Sequence, residues 1–102
     1  MTIREVPKQN AYSIIFSWLL GLHEATRNQI SGSCQNWRLN YIEQGITHQT
    51  LKLPKEIREE FIPYVQTIIT ELRKKTPRKN LLTELEKKIK EISPQTRFVP
   101  RF

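Results

Sequence analysis

The chain has 102 residues, 37% of them hydrophobic, with nine aromatics and 26% charged residues, a size and balance that allow one small domain around one core and exclude disorder along most of the length. Its formal net charge is +7 and its pI about 9.9. The whole surplus lies beyond residue 72, where ten cations face three anions; residues 1 to 72 hold seven of each.

The most apolar stretch is AYSIIFSWLLGL, residues 11 to 22. A bilayer span needs about 20 such residues, and His23, Glu24 and Arg27 follow directly, so no transmembrane segment is expected. Glu5 and Pro7 interrupt what would be the charged start of a signal peptide, and no small-residue cleavage pattern follows. These features, with the single cysteine Cys34 excluding an internal disulfide, predict a soluble cytoplasmic protein. Ala11, Ile15, Trp18, Leu22 and Ala25 recur at spacings of four and three, with Ile14, Phe16, Leu19 and Leu20 widening the stripe. The spacing predicts a well-buried first helix from residue 10 to about 30, with Asn10 as N-cap and Gly32 at its end.

Cys34, Trp37 and Tyr41, with Leu39 and Ile42, share a helical face over residues 33 to 44, which predicts a short second helix closed by Gly45 and assigns Trp37 to the core. Residues 46 to 53, ITHQTLKL, read as a connection with some extended character, and Pro54 sits where a first helical residue would. From there Ile57, Phe61, Tyr64, Val65, Ile68, Ile69 and Leu72 follow helical spacing to about Lys75. Pro63 lacks an N–H and clashes with the carbonyl four residues earlier, so it is expected to kink this third helix near residues 59 to 61 or split it.

Pro77 ends the third helix and Asn80 is placed to cap a fourth, running through Ser93 with Leu82, Leu85, Ile89 and Ile92 on one face. Glu84 and Lys88, and Glu86 and Lys90, stand at i,i+4 in the favourable orientation, each pair worth roughly 0.2 to 0.5 kcal/mol. The segment PQTRFVPRF, residues 94 to 102, repeats a cation-then-aromatic pattern between prolines and is read as an extended tail. The expected architecture is thus all-α: one bundle of about four helices over residues 1 to 93 with a kinked third helix, followed by that tail.

The sharpest local feature is RKKTPRK, residues 73 to 79, with five cations in seven positions. Arg73, Lys74 and Lys75 complement the dipole at a helix C-terminus, which gives them a purely structural account. Arg78 and Lys79 precede a helix N-terminus, where cations are disfavoured, and so suggest an external anion. On that account the segment is a phosphate-binding elbow. Arg27, Arg38 and the amide-rich residues around the 31 to 36 turn form a second, weakly basic segment suited to a sugar-phosphate backbone. The candidate nucleic-acid contacts are therefore Arg73, Lys74, Lys75, Arg78, Lys79, Arg27, Arg38 and Lys87. In the tail, Arg97, Phe98, Arg101 and Phe102 can stack on unpaired bases or dock into a groove on a neighbouring subunit, and docking is the reading preferred.

Nothing in the sequence resembles a catalytic or cofactor set. His23 and His48 lie 25 residues apart without metal-ligand spacing, aspartate is absent, and no phosphate-binding glycine loop or nucleophile elbow occurs. No enzyme activity, metal or cofactor is expected.

The buried helix containing SIIFSWLL, the long helix LPKEIREEFIPYVQTIITELRKK and the basic segment after it resemble the small helical subunits of multi-subunit CRISPR interference (Cascade-type) complexes. The resemblance implies a non-catalytic antiviral-defence protein present in more than one copy. Such a subunit would support guide-paired nucleic acid, single-stranded DNA or an RNA–DNA hybrid, alongside other protein subunits, with RKKTPRK on the strand. Two other functions fit the residues: a stand-alone DNA-binding regulator, and a basic assembly or inhibitor module that grips an acidic protein surface.

Overall fold

A computed structural model describes residues 6 to 30, 36 to 74 and 78 to 97. Four helices carry the chain: α1 (Lys8–Ile30), α2 (Asn36–Gln49), α3 (Lys55–Arg73) and α4 (Leu81–Ile92), with 3₁₀ turns at Thr50–Lys52 and Ser93–Gln95. Among the described residues there is no strand, so the all-α expectation holds.

The first helix is the hub. Ala11, Ile15, Phe16, Trp18, Leu19, Leu22, Ala25 and even Thr26 are buried, a broad apolar stripe about half of its circumference wide, with Ser17, Leu20 and Arg27 exposed on the other side. It packs against α4, α3 and α2, most extensively against α4. Thr26 fits this interior because its hydroxyl donates to the Leu22 carbonyl at 2.7 Å. Helix α3 adds Ile57, Phe61, Val65, Ile68, Ile69 and Leu72, and α4 adds Leu81, Leu85, Ile89 and Ile92. Phe61 meets Tyr12 edge-on, with ring centroids 6.3 Å apart.

Several boundaries differ from the sequence reading. Helix α1 begins at Lys8, so Asn10 is inside its first turn, and the Pro7 carbonyl takes the Ala11 N–H at 2.9 Å. Residues 31 to 35, with Gly32 and Cys34, lie outside the described residues; helix α2, described from Asn36, does not end at Gly45 but runs on to Gln49 and passes into a 3₁₀ turn, so residues 46 to 52 are not extended. The reason is close packing. A Cβ at Gly45 would lie 2.9 Å from Trp18 Nε1, and one at Gly21 would lie 3.0 Å from Ile42 Cδ1. The two glycines bring the α1 and α2 backbones together, and Gly45 serves a helix contact instead of a helix stop.

Helix α3 is not split at Pro63. It runs unbroken from Lys55 to Arg73, and Pro63 and Glu59 are both exposed, so the carbonyl that loses its donor faces water. Pro54 occupies the N-cap position and its carbonyl accepts from Arg58 at 2.9 Å. In α4 the buried face begins at Leu81, with Leu82 only half-buried, and Asn80 makes no side-chain cap bond. The assumed tail starts with one more 3₁₀ turn through Gln95; Arg97 is exposed, while Phe98, Arg101 and Phe102 lie outside the described residues.

Candidate nucleic-acid interface

The basic elbow is tied into the fold by carboxylates. Arg78 donates from Nε to Glu71 at 2.7 Å and through both terminal nitrogens to Glu84, at 3.1 and 3.0 Å. Its backbone N–H also reaches Glu71 at 3.2 Å. The fork on Glu84 is the bidentate geometry that suits a guanidinium, and these bonds hold its pKa above the ordinary value. Glu84 in turn accepts from the Tyr64 hydroxyl at 3.1 Å. Burial, and then the adjacent Glu84 carboxylate, push the Tyr64 phenol well above its usual value.

Arg73 is held in the same way. It donates from Nε to Glu43 at 3.0 Å and from Nη2 to Asn40 at 2.8 Å, joining the end of α3 to α2. Gln29 of α1 donates to the Lys74 carbonyl at 2.9 Å, anchoring the start of the elbow. Lys88 lies 3.7 Å from Glu60 and 3.8 Å from Glu91, over the rings of Phe61 and Tyr64.

These contacts correct two expectations. The unfavourable placement of Arg78 ahead of a helix is answered by Glu71 and Glu84 and needs no external anion. Glu84 turns to Arg78 and Tyr64, and Lys88 to Glu60 and Glu91, instead of pairing with each other, and Glu86 faces the buried His23 at 3.3 Å. Charge that is segregated along the sequence is mixed in space: Glu43, Glu60 and Glu71, from the neutral part of the chain, meet Arg73, Lys88 and Arg78. Of the other candidates, Lys74, Lys79 and Lys87 are exposed, and Lys75 lies outside the described residues.

The remaining pair, Arg27 and Arg38, comes together elsewhere. Both line a groove of about 500 Å³ between α1 and α2, with Leu20, Glu24, Trp37 and Tyr41 around them. Trp37 is 62% exposed and Tyr41 71% exposed, which overturns the assignment of Trp37 to the core. The core face of α2 is Leu39, Ile42 and Ile46: Leu39 and Ile42 are buried as the sequence suggests but without the aromatic pair, and Ile46 joins them because the helix continues past Gly45. The Arg38 guanidinium carbon sits 4.6 Å from the centre of the Trp37 ring, in cation–π range. Arg27 extends from α1 with its side chain 60% exposed, 3.8 Å from Glu24, a spacing at which a solvated pair contributes little.

The arrangement offers two guanidinium groups and two open aromatic rings on one concave surface. Among the described residues no group of three or more His, Cys, Asp or Glu side chains could hold a metal ion, and no helix is long and apolar enough to cross a membrane. No protein-family model matches the chain, and neither curated proteins nor solved structures provide a match.

Proposed function

We propose that the protein is a non-catalytic, cytoplasmic nucleic-acid-binding subunit that engages a sugar-phosphate backbone along the α1–α2 groove. The observation that carries this reading is the convergence of Arg27 and Arg38 with the exposed Trp37 and Tyr41 in one groove, on a chain of net charge +7. Guanidinium groups fit phosphate oxygens, and a positive protein concentrates a polyanion at its surface before any specific contact forms. Exposed Lys74, Lys79 and Lys87 extend the positive surface beyond the groove. The resemblance to small CRISPR interference subunits supplies one assembly that such a subunit would join, testable by copurification of bound chains.

The test is a salt titration of binding to labelled oligonucleotides. Affinity is expected to fall linearly on logarithmic axes, and Arg27→Glu with Arg38→Glu is expected to weaken binding and flatten the slope by about 1 to 2. Binding that ignores salt, or that survives both reversals unchanged, would remove nucleic acid from this groove.

A further inference from the structure

Resting on the nucleic-acid reading, we infer that the α1–α2 groove selects unpaired bases: Trp37 and Tyr41 form a stacking platform for two neighbouring nucleotides of a single strand, while Arg27 and Arg38 meet the phosphates between them.

Four observations support this. The two rings stand one helical turn apart on α2, at positions i and i+4, so their Cβ atoms are about 5 to 6 Å apart. Two rings on neighbouring turns of one helix can each take a base only from a strand whose bases are free to splay apart, as unpaired bases are. Second, both rings are more than half exposed although α2 already has a complete aliphatic core face in Leu39, Ile42 and Ile46. The fold does not need them for packing. Third, Arg38 lies over one face of the Trp37 ring, so a base would take the other face, with the guanidinium charge held beside it within reach of the strand's backbone. Fourth, a duplex hides the faces of its bases, so these rings would meet only its sugars and phosphates, and base–aromatic stacking is indifferent to sequence. Charge complementarity favours a strand over a protein partner, since among the described residues the one carboxylate lining the groove, Glu24, already lies beside Arg27.

The two tryptophans make the experiment direct, because Trp18 is buried at 6% exposure while Trp37 is open. The full-length chain is titrated at about 50 mM salt with oligothymidine and oligouridine of about 20 nucleotides and with a duplex of equal length, following anisotropy and tryptophan emission together. Single strands are expected to quench emission and to bind at least about tenfold tighter than duplex. Trp37→Leu and Tyr41→Leu, surface changes whose folding is checked by circular dichroism, are each expected to cost about 5- to 150-fold in single-strand affinity. Trp37→Leu is also expected to abolish the quench, with weak salt-dependent binding left by the arginines.

Equal binding of strand and duplex with unmoved emission and unaffected aromatic variants would overturn the stacking platform and leave the backbone reading standing. Failure of every oligonucleotide to bind would overturn both. Self-association in sedimentation velocity that Trp37→Leu abolishes, with no oligonucleotide bound, would assign the face to a second copy of the chain and overturn the inference in that way.

Discussion

Arg73, in the last turn of α3, donates from Nε to the Glu43 carboxylate of α2 at 3.0 Å, across thirty positions of sequence. The contact sits on the flank of α2 away from Trp37 and Tyr41, so Arg73 positions the helix that carries the aromatic rim. Arg73→Glu alone is expected to lower stability by up to about 1 kcal/mol, since both partners are partly solvated. Combining it with Glu43→Arg is expected to restore most of that loss, as read in urea unfolding. The exchanged protein is expected to bind oligonucleotides nearly as the parent does; a large loss of affinity in the exchanged but stable protein would make Arg73 a direct phosphate ligand.

Gly45 and Gly21 separate two effects that glycine usually confounds. Alanine raises helix propensity by up to about 1 kcal/mol at either site. At Gly45 the new methyl would meet the ring of buried Trp18 at 2.9 Å, and overpacking of that kind costs about 1 to 3 kcal/mol. At Gly21 it would meet the flexible end of the Ile42 side chain, with Cδ1 at 3.0 Å and Cγ1 at 3.6 Å. Thermal unfolding is therefore expected to show Gly45→Ala below the parent and Gly21→Ala above Gly45→Ala. The reverse order would mean that α2 slides freely along α1.

Tyr64 gives the fold an alkaline dependence. Its folded-state pKa lies above the ordinary 10.0 because burial and Glu84 disfavour the phenolate. A raised pKa means that the folded state holds the proton more tightly than the unfolded chain, so the stabilisation is complete below pH 10 and is lost as pH climbs from there towards the folded value. Tyr64→Phe is expected to remove this part of the loss, so that stability curves of parent and variant converge between about pH 10 and 12. Parallel curves over that range would show that Tyr64 titrates no differently in the two states.

Arg78 and the exposed lysines divide stability from binding. Arg78→Ala leaves Glu71 and Glu84 facing one another and is expected to cost about 1 kcal/mol, with Arg78 half-exposed, and to change oligonucleotide affinity little. Lys74→Gln, Lys79→Gln and Lys87→Gln are expected to leave the unfolding midpoint in place and to reduce the salt slope by up to about 1 each. An Arg78 variant that keeps its stability and loses its affinity would return the elbow to the nucleic acid.

The helix count and the core of α1, α3 and most of α4 were legible in the sequence because long aliphatic stretches at helical spacing leave few alternatives. Residues such as Ile15, Leu22, Val65 and Leu72 lie buried where their period puts them. The second helix was partly legible: of the four residues Trp37, Leu39, Tyr41 and Ile42 assigned to one face, only the aliphatic pair is buried, because hydrophobicity alone does not say which side of the helix α1 will cover. Gly45 was misread for a related reason: a glycine that stops a helix and one that admits an indole look alike until the neighbour is known. The site was half legible. Arg27 and Arg38 were found from composition, whereas the pairing of Arg73 and Arg78 with glutamates 30 and 7 positions away depends on tertiary approach.

The first helix finds its largest interface with the last. During synthesis α1 leaves the ribosome before α4 has been made, and its widest apolar stripe must wait, uncovered, until residues 81 to 92 emerge. A nascent chain stalled before that point would present this uncovered surface of α1 to chaperones, so the core closes only after α4 has been made.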